Sequence, residues 1–144
     1  MHAGRELDAI VAEKVMGWVA VPVNRWLPKG QGRGSDNSQW LFHHHKYGEQ
    51  VRPMHSFCPS TDIAAAWGIR VEMERLGWIS HDQITWMGWG DNNKHPYEYS
   101  IWFENWLKFK EIGGKTCFHA HVKDFKQAPL AICLAALKAK GVDV

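Results

Sequence analysis

The sequence predicts an α+β fold, a mainly antiparallel sheet packed with three amphipathic helices in a layered sandwich. Three observations predict it. Apolar residues recur at the helical period in three segments, 4–17, 60–77 and 128–140. The segments 79–90, 97–109 and 115–125 read as strands, the third with a clear period of two. Turn signals at 91–93 (Asp-Asn-Asn) and 113–114 (Gly-Gly) join these strands as hairpins, and hairpins run antiparallel. The chain's 144 residues suit one domain, 1–144.

The first helix has Leu7, Ile10, Val11 and Val15 on one stripe, and Gly17 stops it. Residues 18–28 are β-branched and aromatic, but Pro22 and Pro28 allow at most an edge strand. Residues 29–38, rich in Gly, Ser, Asp and Asn, read as a flexible loop. Residues 39–46 read as a strand. In the second helix Ser60 or Thr61 can cap, with Asp62 favoured at the positive end. Its expected apolar face holds Ile63, Ala66, Trp67 and Val71, widened by Met73 and Leu76, and Gly77 ends it. Gly68 sits inside it, where glycine costs ~1 kcal/mol against alanine; a close packing neighbour would explain it, but the sequence shows none. Tyr97, Tyr99, Ile101 and Phe103 share one strand face. Cys117, His119, His121 and Lys123 alternate with Phe118, Ala120, Val122 and Asp124. The last helix starts with Pro129 in its first turn, carries Leu130, Cys133, Leu134 and Leu137 as its stripe, and stops at Gly141.

A hydrophobic fraction of 45% and a charged fraction of 22% argue against collagen, coiled coil and wholesale disorder. No apolar run approaches the ~18–20 residues of a membrane span. Arg5, Glu6, Asp8, Glu13 and Lys14 exclude the apolar core of a secretion signal from the first stretch. A net charge of +2 does not call for a nucleic-acid partner. Cys58, Cys117 and Cys133 form no even disulfide frame and read as idle thiols in a reducing compartment. Nine tryptophans exceed what one small core needs, so some belong at a surface that meets a ligand or another subunit.

Three segments, GRELDAIVAEKVMGW at 4–18, STDIAAAWGIRVEMERLGW at 60–78 and APLAICLAALKA at 128–139, resemble in order and spacing the small phage proteins that carry the phage ABA sandwich domain. The resemblance covers essentially the whole chain. It implies an alpha-beta-alpha sandwich encoded by a phage or prophage and working in the host bacterial cytoplasm. It supplies no catalytic motif. The loop at 29–38 and the aromatic stretch at 78–106 depart from the common pattern and are the places for specificity.

Several groups are candidates for chemistry. His43 and His45 share a strand face, as do His119 and His121, and two such pairs on adjoining strands would suit a metal. Without HExxH or finger spacing, solvated or hydrogen-bonding histidine is the plainer reading, and no metal or cofactor is called for. Asp91, Glu98 and Glu104 read as ordinary surface charge; Glu98 and Glu104 share parity but stand too far apart for a close pair. Residues 29–34 (KGQGRG) are no P-loop, yet they suit an anion-binding lid. Residues 18–59 carry five basic against two acidic residues, together with Trp18, Trp26 and Trp40. Cations hold phosphates and indoles stack on bases, which is the pairing a nucleotide needs. The expected ligand contacts are therefore Arg25, Trp26, Arg33, Trp40 and His43, with Trp102 and Trp106 as a second aromatic wall.

The expected function is that of a phage accessory protein that sequesters a nucleotide-derived host immune signal without catalysis. Its partner is a small anionic nucleotide-type ligand, and a homo-oligomer is expected because pockets form between subunits. Two alternatives are a nucleotide-degrading, phosphodiesterase-like enzyme using His43, His45, His119 or His121, and an inhibitor module that docks on a protein.

Overall fold

A computed structural model describes residues 2–22, 39–45, 48–53, 56–87, 97–105, 107 and 117–144. Among the described residues the fold is α+β, with three helices and antiparallel sheet. Helix α1 spans Arg5–Lys14, strand β1 Val19–Pro22, β2 Gln39–His45 and β3 Gly48–Pro53. Helix α2 (Ile63–Arg75) precedes β4 (Ile79–Trp86), β5 (Tyr97–Glu104) and β6 (Cys117–Val122). A 3-10 turn at Phe125–Gln127 leads into α3 (Ala128–Ala139). The strands form two three-stranded sheets, ordered β1-β2-β3 and β4-β5-β6. β1 lies at an edge, as Pro22 requires, and β3 is a strand that the sequence did not suggest.

Helix α3 makes the centre of the core. It packs against α2, β5 and β6. Ala131, Ile132, Cys133, Ala135, Ala136 and Leu137 are fully buried, so this helix is enclosed nearly all round and not along one stripe. Its alanines allow neighbours on several sides to come close. The inner face of the second sheet meets it with Tyr99, Ile101, Phe103, Ala120 and Val122, all buried. The expected face sharing on the second and third of these strands therefore holds.

Two expectations for α2 are corrected. Its buried face is Ala66, Ile69 and Met73, whereas Ile63, Trp67 and Val71 are about half exposed. Both rows are apolar, and only the position of α3 decides which is covered. Gly68 has no packing neighbour, since a Cβ placed there meets nothing within 4 Å. The cap is Asp62, which accepts from the Ala64 N–H at 2.9 Å. Ser60 serves α1 instead. Its hydroxyl accepts from the Gly4 N–H at 2.9 Å, and its own N–H donates to the buried Asp8 carboxylate at 2.8 Å. Gly77 ends α2 with φ 89°, a left-handed turn that glycine adopts without strain, and its carbonyl accepts from Asn105 at 2.9 Å.

Arg70 clamps α2 to β4. It donates from Nε to the Ser80 hydroxyl at 2.6 Å and from Nη1 to Asp82 at 3.0 Å. Its guanidinium lies 4.5 Å from the centre of the Trp67 ring, and Ser80 also donates to Glu74.

Candidate functional site

Strand alternation gives the second sheet an outer face as well as a buried one. The register β4-β5-β6 sets three rows across it: Ile79–Glu104–Cys117, His81–Trp102–His119 and Gln83–Ser100–His121. Thr85 and Glu98 extend it by a further pair. The face thus gathers three imidazoles, two carboxylates, an indole and two hydroxyls. Its side chains are half-buried or exposed, while on the opposite face Tyr99, Ile101 and Phe103 of β5 and Ala120 and Val122 of β6 are buried on the side that packs against α3.

The central row is aromatic. His81 stacks on Trp102 with centroids 5.3 Å apart and planes 16° from parallel, and His119 stands opposite Trp102 on the other side. The His81 Nε2 lies 3.2 Å from Glu104 Oε2. On the neighbouring row the Ser100 hydroxyl and His121 Nδ1 are 2.9 Å apart, and His121 Nε2 lies 3.4 Å from Glu98 Oε2. Glu98 and Glu104 do not act as a pair, as their spacing indicated, but each stands beside an imidazole and is more than a surface charge. A carboxylate only accepts, so Glu98 favours the proton of a neutral His121 on Nε2. Nδ1 is then the acceptor and Ser100 the donor.

Around this arrangement the chemistry is graded. Lys138, on α3, donates to the His119 carbonyl of β6 at 3.2 Å. The Cys117 thiol is pushed above its ordinary pKa by burial and by the charge of Glu104. Cys133, in the core, is pushed up strongly by burial and then by Asp8.

Of the expected contacts, Trp102 stands on this face, half-buried. Arg25, Trp26, Arg33 and Trp106 lie outside the described residues, as do the 29–38 loop and Asp91. Trp40 and His43 belong to β2, at the register positions opposite Pro53 and Gln50; their side chains are outside those described. The His43–His45 and His119–His121 pairs are in separate sheets, so they do not sit on adjoining strands. No cluster of three or more metal-ligating side chains occurs among the described residues.

Sequence reasoning missed His81, Gln83 and Ser100. Parity alone puts His81 with Gln83, and Ser100 with Trp102. Which of them stand opposite one another depends on the β4–β5 register, and the connection at 87–96 is too long to fix it. No family model, no curated protein and no solved structure matches this chain.

Proposed function

We propose that this chain is a binding protein that holds a small nucleotide-type ligand on the outer face of β4-β5-β6, with the nucleobase against Trp102. The observation that carries the reading is the row His81–Trp102–His119, an accessible aromatic platform on a rigid sheet, with Lys138 bonded to the His119 carbonyl. A base stacks on indole whatever its hydrogen-bonding pattern. Glu104 accepts from sugar hydroxyls, and the phosphates lie toward Lys138, away from the carboxylates. Arg25, Trp26, Arg33, Trp40, His43 and Trp106 remain further contacts in this proposal.

The proposal extends to the wider role. The three helical segments that resemble the phage ABA sandwich family supply the alpha-beta-alpha layering, the phage or prophage origin and the host cytoplasm. In that setting a protein that captures a nucleotide-derived immune signal disarms its host by mass action alone. A second copy of the chain is the partner proposed for the exposed row Ile63, Trp67 and Val71 on α2, whose spacing makes one continuous apolar strip.

Calorimetry against cyclic dinucleotides and ADP-ribose-derived nucleotides tests the reading. Saturable binding is expected, with the nucleotide recovered intact on denaturation. Trp102→Ala should weaken it by ~1–3 kcal/mol. Absence of heat across the whole panel removes the proposal, and cleaved nucleotide in the recovered fraction replaces sequestration with catalysis.

A further inference from the structure

The second half of the outer face carries something that ligand holding does not use. Ser100, His121 and Glu98 form a connected series, hydroxyl to Nδ1 at 2.9 Å and Nε2 to carboxylate at 3.4 Å. All three side chains come from two paired strands, with Ser100 and His121 at directly opposed register positions. A strand pair holds such groups more firmly than a loop does. The carboxylate turns the imidazole so that its lone pair faces the hydroxyl, which is the arrangement of nucleophile, base and orienting group. On the other side of Ser100, also directly opposed, stands Gln83 on β4. Its carboxamide is of the chemistry that can donate to an oxygen gaining negative charge at Ser100.

We propose that Ser100 is an activated nucleophile and that this face transfers acyl groups from uncharged carboxylic esters of aromatic alcohols. Glu98, beside His121, disfavours an anionic acyl group at Ser100, and Trp102, two positions along β5, receives the aromatic leaving group. In the first step the Ser100 Oγ bonds to the ester carbonyl carbon and its proton passes to His121 Nδ1. The carbonyl oxygen takes the electron pair and accepts a hydrogen bond from Gln83. The bond from carbon to the aromatic alcohol then breaks, and the departing oxygen takes the proton from His121. In the second step water gives a proton to His121, attacks the acyl carbon and releases the carboxylic acid, with the proton returning to Ser100. Only water is consumed, and no oxidant or reductant takes part. Glu98 is a positioning residue, acting through His121. The proposal does not rest on nucleotide binding, and either can fail alone.

The test uses the full chain and 4-nitrophenyl acetate, with nitrophenolate release followed by absorbance and the acetylated residue located by peptide mass mapping. Acetyl on Ser100 is expected, with Ser60 and Ser80, both engaged in other hydrogen bonds, as internal controls that stay unmodified. Ser100→Ala should abolish that label, and His121→Gln should slow it about 100-fold. Glu98→Ala should slow it also, whereas Glu98→Asp, which keeps the carboxylate, should retain most of the rate. The wild-type map decides without any variant: acetyl confined to histidines, lysines or other serines overturns the proposal. Ser100 labelling at an unchanged rate in His121→Gln overturns it equally.

Discussion

Single side chains in this molecule are decided by what stands next to them. Gly68 is the plainest case: helical, exposed and with open space where a Cβ would go. Gly68→Ala should raise stability by up to about 1 kcal/mol, read as a higher urea midpoint with an unchanged slope. Tyr99 is the titrating counterpart. Burial first, and Asp82 second, push its phenol from 10.0 up to about 12, against a smaller opposing effect of Arg70. The folded state therefore keeps a proton that the unfolded chain releases sooner. Its contribution is complete below pH 10 and is lost as pH rises from 10 to about 12. Cys133, raised by burial, works in the same direction in alkali. Urea midpoints measured across that window should fall, and Tyr99→Phe should flatten the fall.

At the scale of elements, the Arg70 clamp is what joins α2 to β4. The guanidinium fork serves Ser80 and Asp82 at once while its face covers Trp67. Lysine offers one compact charge and no planar face. Arg70→Lys should cost about 1–2 kcal/mol and should speed amide exchange in β4 more than in β6, measured by hydrogen exchange. Elements also show how far the sequence could be read. The three helices, the edge position of β1 and the faces of β5 and β6 were legible because period and proline placement are local signals. β3 was not, because in GEQVRP only Val51 is β-branched and its pairing with β2 makes the strand. The outer face was half legible for the same reason. Parity names Trp102, His119 and His121, but the opposition of Ser100 to His121, and of His81 to Trp102, is a property of register.

For the whole molecule, the apolar strip of Ile63, Trp67 and Val71 bears on association. Two such strips related by a two-fold axis cover each other, since each presents the same row to its copy. Val71→Glu puts a charge on that strip without touching the buried Ala66–Ile69–Met73 row. Sedimentation should show the native chain as a dimer and Val71→Glu as a monomer with an unchanged far-ultraviolet spectrum. A native monomer would assign the strip to a different partner. The enclosure of α3 has a last consequence, one that concerns time. This helix is translated after every element it supports, so during synthesis Tyr99, Ile101 and Phe103 leave the ribosome with nothing to cover them. Until residue 139 emerges, this apolar face lacks the helix that covers it, the kind of exposed surface through which incompletely folded chains aggregate. A message truncated before Ala128 should yield no soluble product.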